Sequence, residues 1–209
     1  MKIIDITAVL GPETAAFPGD QPFTRTFSQT IAQGDVCNLS AITMSPHVGT
    51  HVDAPFHYDE HGITMDEVDP SLYIGEVLVV EVHLESDCIT VNDLVLDELR
   101  GATRVLFKTN TYPNTEVFTE TFAGFTPDAV DALAKVGVKL VGIDTPSVDP
   151  FRAIGMPAHA RFREQGMFIL ENVRLDAVEP GAYELIALPL RIKGSDGSPV
   201  RAILRVHSS

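Results

Sequence analysis

The chain has 209 residues, of which 44% are hydrophobic and 21% are charged, and its formal net charge is −14. This composition predicts one compact globular domain, residues 1–209, and excludes an intrinsically disordered chain. The 29 acidic side chains outnumber the 15 basic ones, so the field of the protein would repel polyphosphates. Nucleic acid and anionic membrane surfaces are therefore poor candidates for partners.

The amino-terminal segment gives no sign of export. Its apolar stretch, MKIIDITAVL, is short and is interrupted by Asp5, so it resembles neither a signal peptide nor a transit peptide. The sequence also lacks a run of about 18 apolar residues, which a membrane-spanning helix would need. We therefore expect a cytoplasmic protein in which Cys37 and Cys88 are reduced and packed in the interior.

Hydrophobic periodicity predicts more strands than helices. In chain order, the pattern predicts strands over residues 2–7, 24–31, 38–44 and 75–84, a helix over 91–99, a strand over 104–108, a helix over 126–136, a strand over 139–143, a helix over 158–165, and strands over 167–171, 183–189 and 200–206. The second and third strands alternate polar and apolar residues, as half-buried strands do. Thr126 is the predicted N-cap of the middle helix, and Gly137 ends it. The set indicates a mixed α/β domain with a large, barrel-like sheet and a few flanking helices.

Residues 45–58, SPHVGTHVDAPFHY, hold the densest group of potential metal ligands. The group consists of His47, His51, Asp53 and His57. Gly49 and Pro55 disfavour a helix, whereas an extended chain would place residues 47, 49, 51 and 53 on one face. On that face Gly49 would leave room for an ion between two imidazoles. Pro55 would end the strand and turn His57 in another direction.

Two imidazoles and a carboxylate form a ligand set that suits zinc or a similar divalent ion. A single histidine in a strand is usually structural or exposed. Three histidines and an aspartate at this spacing are different, because burying them uncompensated would be costly. Since Asp53 has two carboxylate oxygens, it could bridge two ions.

The segment HVGTHVDAPFH resembles the HxGTHxDxPxH signature of the cyclase family of metal-dependent hydrolases. Three further segments resemble the same family: PGD after Phe17, LVGIDTPSVDP at residues 140–150, and YELIALPLRIKGSDGSPVRAILR at residues 183–205. The resemblance extends over nearly the whole chain. It is greatest to bacterial members that hydrolyse N-formyl-L-kynurenine, although those usually have tryptophan at the position of Phe17 and GAHADAPLH in the signature.

This resemblance implies a single-domain swivelling β/α fold, a homodimer and two divalent ions, most readily Zn²⁺ with Mn²⁺ as the alternative. By similarity, His47 and His51 bind one ion, Asp53 bridges the two, His159 binds the second, and Glu171 touches both. His57 is the catalytic histidine and not a ligand, and Phe17 lines the substrate site. Without the resemblance, sequence context favours Glu171 as a metal ligand, because it closes an apolar run. The context of His159 is typical of a surface histidine. Asp144 is more typical of a loop cap than of a group that orients a ligand histidine.

The activity that the resemblance implies is hydrolysis of N-formyl-L-kynurenine to L-kynurenine and formate in tryptophan degradation. Water activated by metal would be the nucleophile, and His57 would relay a proton to the departing aryl amine. One alternative is a related hydrolase of the same family that acts on a cyclic aryl amide such as isatin. A second alternative is a metal-binding protein without catalytic activity. A serine hydrolase is disfavoured, because the sequence has no GxSxG motif.

Overall fold

The structure is a computed structural model that describes residues 2–206. Its strands are β1 Lys2–Asp5, β2 Thr24–Gln29, β3 Leu39–Thr43, β4 His51–Asp53, β5 Ile74–Glu81, β6 Cys88–Ile89, β7 Arg104–Lys108, β8 Gly124–Phe125, β9 Leu140–Ile143, β10 Phe168–Glu171, β11 Gly181–Ile186, β12 Gly197–Pro199 and β13 Ile203–Val206. Its α-helices are α1 Leu96–Leu99, α2 Pro127–Val136 and α3 Pro157–Glu164.

One large curled sheet organises the described part of the chain. Within residues 2–206 it has nine strands in the order β1-β13-β11-β5-β7-β9-β10-β4-β12. The four central strands β5, β7, β9 and β10 run parallel, and antiparallel strands flank them on both sides. The α/β class and the large barrel-like sheet that the sequence predicted are thereby confirmed, as a curled half-barrel.

Apolar residues pack on both faces of this sheet. Ile169 belongs to a core cluster that includes Val130 and Leu133 of α2 and Phe162 of α3. The next residue, Leu170, points the other way and belongs to a second cluster, built with side chains of β4, β11 and β13. Because successive side chains of a strand point to opposite faces, a strand buried on both faces is continuously apolar, as the run from Phe168 to Leu170 is.

The predicted strands 24–31 and 38–44 exist as β2 and β3, but the expectation that they are half-buried is wrong. They form a separate two-stranded hairpin, and its apolar residues are exposed. Phe27, Leu39 and Ile42 keep 51%, 53% and 60% of their accessible surface. Alternation predicts that one side of a strand is apolar, but it does not say what covers that side. In the hairpin Phe27 and Ile42 lie on one face and Leu39 on the other, and no part of residues 2–206 buries any of the three.

The helices match the prediction in position and differ in detail. Residues 91–99 divide into a short 3-10 turn and the four-residue α1. Thr126 is the N-cap residue of α2, but its hydroxyl donates to the Ile89 carbonyl and makes no capping bond. Both cysteines are free, although Cys37 is exposed and not packed as expected. None of the helices in residues 2–206 has the length and apolar character needed to cross a membrane.

Candidate active site

Strand β4 lies between two strands that are distant from it in sequence, and its register builds one side of the site. Its antiparallel pairing with β10 sets Glu171 opposite His51. Its pairing with β12 sets Gly197 opposite Asp53. His51 and Asp53 are two residues apart in a strand and therefore point to the same face. All three ionisable side chains are buried, with exposures of 1% for His51, 1% for Asp53 and 3% for Glu171.

His47 reaches the same site by a different route from the one predicted. Residues 47–50 form turns and bends, so the extended run from 47 to 53 holds only for its last three residues. Gly49 has a φ of 74°, and a Cβ on it would lie 2.5 Å from a methyl carbon of Leu10. The glycine is thus required by a left-handed turn and a close contact, and not by space for an ion. The turn folds His47 back over the strand.

His159 and Glu171 come from other elements and complete the group. His159 lies in the first turn of α3 and is only 2% exposed, so the surface position that its sequence context indicated is wrong. Glu171 ends β10, as predicted, and its Oε1 accepts a hydrogen bond of 2.7 Å from the backbone N–H of Val148. The five residues predicted as ligands therefore meet in one place. We call them the polar wall: His47, His51, Asp53, His159 and Glu171.

Distances within the polar wall define two neighbouring groups of inward-facing atoms. On one side, Asp53 Oδ1 lies 3.0 Å from His47 Nδ1 and 3.4 Å from His51 Nε2. On the other side, Asp53 Oδ2 lies 3.4 Å from His159 Nε2. Glu171 spans both groups, with Oε2 3.2 Å from His51 Nε2 and Oε1 3.6 Å from His159 Nε2. His51 Nε2 and Asp53 Oδ2 are buried without a hydrogen-bond partner in the described residues.

Each of the three imidazoles in the polar wall has an oxygen next to its outward-facing nitrogen. His47 Nε2 lies 3.0 Å from Asp196 Oδ2, and His51 Nδ1 lies 2.9 Å from the Gly49 carbonyl oxygen. His159 Nδ1 lies 2.6 Å from Asp149 Oδ2. An oxygen in this position fixes the tautomer, so that the proton is on the outer nitrogen and the lone pair of the inner nitrogen faces a ligand.

The polar wall attracts positive charge. Burial alone would lower the pKa of His51, but Asp53 and Glu171 outweigh it and raise that pKa to about 10. His159 also has a pKa raised to about 10, since Asp149 and Asp53 outweigh its burial, and Asp196 and Asp53 raise the pKa of His47 to about 9. Burial would raise the pKa of Asp53, yet the three imidazoles hold it well below its usual range. Protons or a bound cation must balance the buried carboxylates.

His57 lies at the rim of the site. It ends a 3-10 turn that begins at Pro55, so the prediction that Pro55 ends the strand and redirects His57 is consistent with the structure. Its ring stacks on that of His47 with centroids 4.0 Å apart, and its Nδ1 is 3.8 Å from Asp196 Oδ2. Its side chain keeps 28% exposure, and burial lowers its pKa below the ordinary histidine value. A neutral imidazole next to the cavity can accept a proton and return it.

Four residues of the polar wall line a cavity of about 310 Å³, and three phenylalanines line the same cavity. Phe17 has its ring centroid 5.2 Å from that of Phe118 and 5.7 Å from that of Phe151. The rings of Phe118 and Phe151 are 5.6 Å apart. We call Phe17, Phe118 and Phe151 the aromatic wall. Only Phe17 was predicted for the pocket, because the other two lie in loops whose sequences carry no pattern.

Two carboxylates of the site were missed by the sequence analysis. Asp149 accepts from the backbone N–H groups of Ala158 and His159 as well as facing the ring of His159. Asp196 is 149 residues from its partner His47. The predicted loop-capping interpretation of Asp144 is correct, since its carboxylate accepts from the backbone N–H groups of Thr109 and Asn110. The sequence around Asp149 gives only a weak indication that this carboxylate belongs to the site, and the sequence around Asp196 gives none.

Comparisons with known proteins agree with this geometry. A family profile described as "Putative cyclase" matches residues 4–150, and the chain belongs to that family of metal-dependent hydrolases. Among curated relatives, the kynurenine formamidase of Bacillus cytotoxicus is 42% identical over 202 residues, which cover 97% of this chain and 96% of that protein. The resemblance predicted from the motifs is thereby confirmed.

Solved structures show the same fold. One described as a potential metal-dependent hydrolase with cyclase activity is 30% identical, has a TM-score of 0.85, and covers 97% of this chain and 96% of its own. The isatin hydrolase A of Ralstonia solanacearum is 24% identical with a TM-score of 0.82, covering 97% of this chain and 91% of its own, and at that identity the likeness concerns the fold alone. The predicted class, a metal-dependent amide hydrolase, is confirmed, and the second alternative, a metal-binding protein without activity, is disfavoured.

Proposed function

We propose that the protein hydrolyses N-formyl-L-kynurenine to L-kynurenine and formate. The observation that carries this proposal is that one cavity is lined both by four residues of the polar wall, His47, His51, His159 and Glu171, and by all three phenylalanines of the aromatic wall. A hydrolytic centre then faces a surface that fits an aryl ring. The relatives called kynurenine formamidase match the chain over almost its full length, which supports the same substrate.

Two divalent ions fit the residues of the polar wall. His47 Nδ1, His51 Nε2 and Asp53 Oδ1 would hold one ion, and His159 Nε2 with Asp53 Oδ2 would hold the other, while Glu171 would contact both. The two buried atoms without partners, His51 Nε2 and Asp53 Oδ2, belong to this set. Imidazole and carboxylate donors favour Zn²⁺, with Mn²⁺ as the alternative. When bound, such ions supply Lewis acidity and lower the pKa of water to about 7.

The side chains around this centre would orient the substrate and move a proton. The aromatic wall would hold the aryl ring by offset or edge contacts, which sets the position of the formamide next to the polar wall. His57 is neutral because burial lowers its pKa, so it would take a proton and pass it to the amide nitrogen as the C–N bond breaks. An aryl amine is a poor leaving group unless its nitrogen is protonated.

A comparison of substrates tests the proposal. Protein loaded with Zn²⁺, and separately with Mn²⁺, is assayed with N-formyl-L-kynurenine and with isatin, whose cyclic aryl amide the same walls could accept. We expect kcat/KM to be higher for N-formyl-L-kynurenine with at least one of the ions. A higher value for isatin with both ions would instead identify the protein as a hydrolase of cyclic aryl amides.

We also propose that the protein is a cytoplasmic homodimer of one hydrolase domain, residues 1–209. Phe27 and Ile42 are exposed on one face of the β2–β3 hairpin and support this assembly, because exposed apolar side chains that lie near one another are typical of an interface. Light scattering after size exclusion should give twice the mass of one chain. Ile42→Asp places a charge on the hairpin, where the wild-type side chain is 60% exposed, and should shift the protein toward the monomer. A monomeric wild type would contradict the proposal.

A further inference from the structure

Asn172 follows Glu171 directly and has no part in the mechanism described so far. It lines the cavity between the two walls and is only 7% exposed. Its backbone is in the left-handed region, with a φ of 55°. Asparagine tolerates this region better than most residues, but glycine adopts it at lower cost. The backbone conformation alone therefore does not require a carboxamide here.

The backbone of Asn172 is held on both sides. Its N–H donates to the Thr145 carbonyl oxygen at 2.9 Å, and its carbonyl oxygen accepts from the Thr50 hydroxyl at 2.6 Å. Thr50 and Thr145 are themselves buried, with exposures of 1% and 0%. The main chain thus presents the side chain from a rigid position, which is what a group that acts on a ligand requires.

The carboxamide of Asn172 has no partner in the part of the chain that the structure describes. Its Oδ1 is buried without a hydrogen bond, and its Nδ2 has none either. Asn110 provides a contrast, since it has nearly the same backbone, with a φ of 57°, but its Nδ2 donates to Glu81 Oε1 at 2.7 Å. Because Asn172 lines the cavity, its unpaired Nδ2 is a donor that a ligand in the cavity can satisfy.

We propose that Asn172 is a catalytic residue whose Nδ2 donates a hydrogen bond to the carbonyl oxygen of the scissile amide. The proposal rests on the amide hydrolysis proposed above. As the water oxygen bonds to the carbonyl carbon, the C=O electron pair moves onto the carbonyl oxygen, and it returns when the C–N bond breaks and the nitrogen takes a proton. A hydrogen-bond donor to that oxygen stabilises the negative charge that develops there and so lowers the barrier.

Two substitutions separate the side chain from the backbone. Asn172→Gly keeps the left-handed backbone and removes the carboxamide, while Asn172→Asp keeps the shape and removes the donor. For both, we expect kcat for N-formyl-L-kynurenine to fall roughly 10²-fold, as for other oxyanion donors. KM should stay within about twofold, because the bond strengthens mainly in the transition state. Metal content should match the wild type, and Tm should be no lower than that of the wild type. Asn110→Gly is the control for a glycine at positive φ and should leave kcat unchanged.

Several results would overturn the proposal. A raised KM with an unchanged kcat would show that Asn172 binds a remote part of the substrate. Loss of metal in Asn172→Gly would show that it supports the ligand set, and wild-type activity in Asn172→Asp would show that no donor is needed. If the wild-type protein hydrolyses only isatin, the proposed substrate fails, and the same variants are compared on the ring amide of isatin. Inactivity on both substrates would overturn both proposals.

Discussion

The polar wall and the aromatic wall face one cavity but are built in different ways. The polar wall comes from β4, β10, the turn before β4 and the first turn of α3, and the register of the sheet sets Glu171 beside His51. The aromatic wall comes from loops, and its rings contact one another through edge and tilted geometries. Outward-facing hydrogen bonds fix the imidazoles, whereas the phenylalanines pack against one another through their rings.

This difference indicates that the polar wall carries the reaction and that the aromatic wall determines how tightly a substrate binds. A catalytic centre depends on the positions of its atoms to within a fraction of an ångström, so it is placed on paired strands and buried hydrogen bonds. An aryl ring can be held by several packing arrangements of similar free energy. We therefore expect substitutions in the polar wall to abolish activity, and substitutions in the aromatic wall to change the apparent affinity for substrate by much smaller factors.

The largest effect is expected for His51→Ala. His51 Nε2 is buried between Asp53 and Glu171, so its loss leaves the carboxylates without one of the groups that balance their charge. Metal content, measured by elemental analysis, and kcat should fall together to the background. A variant that retains the full complement of metal would show that His51 is not a ligand.

His57→Ala should give the next largest effect and should separate proton transfer from metal binding. We expect kcat to fall by roughly 10²–10⁴, the usual contribution of a positioned acid–base group, while the metal content stays that of the wild type. Metal content and kcat are measured on the same samples as for His51→Ala. Loss of metal would place His57 among the ligands, and nearly full activity would mean that another group protonates the leaving amine.

Asp149→Asn tests whether the outward-facing carboxylates support the polar wall. Asp149 Oδ2 is 2.6 Å from His159 Nδ1, and the amide that replaces it can present either a donor or an acceptor there. Apparent metal affinity, measured by competition with a chelator, should weaken by about 10–100-fold. Asp144→Asn is a matched control, because Asp144 is a buried carboxylate that caps a loop and should leave metal affinity unchanged. Equal losses in both variants would indicate a general effect on folding.

Phe17→Ala should have a smaller effect, confined to substrate binding. Aromatic contacts contribute about 0.5–1.5 kcal/mol beyond burial, so KM for N-formyl-L-kynurenine should rise by roughly 2–10-fold at a nearly constant kcat. Phe27→Ala removes a phenylalanine from the exposed hairpin and serves as the control. An unchanged KM in Phe17→Ala would place the aryl ring elsewhere in the cavity.

The last prediction is a pH dependence of stability that differs between the two metal states. Without metal, the pKa of His51 and of His159 is raised to about 10, so their protonation stabilises the folded state fully below pH 6.5, and this contribution is lost as the pH rises to about 10. Bound metal must displace those protons, so its stabilisation increases over the same range. Calorimetry with chelator should show Tm falling between pH 6.5 and about 10, whereas with bound metal Tm should change little over that range. Parallel changes would contradict this linkage.

The sequence predicted most strands of the large sheet to within a few residues, because their apolar runs are long and β-branched. The prediction was wrong where the outcome depended on tertiary packing. The alternation of β2 and β3 did not reveal that their apolar side lies exposed, and the extended pattern assumed for residues 47–53 missed the turn at Gly49. His159 looked like a surface residue because burial of one face of α3 depends on what packs against it.

By itself, the sequence determined the fold class, the metal dependence that its His/Asp segment indicates and, through its motifs, the family. These follow from residue type and short spacing, which act locally. The tertiary structure alone decided that Asp149 and Asp196 face the histidines, that three phenylalanines share one wall, and that the carboxamide of Asn172 has no partner among residues 2–206. Such contacts join residues up to 149 positions apart, and only strand register and loop packing bring them together.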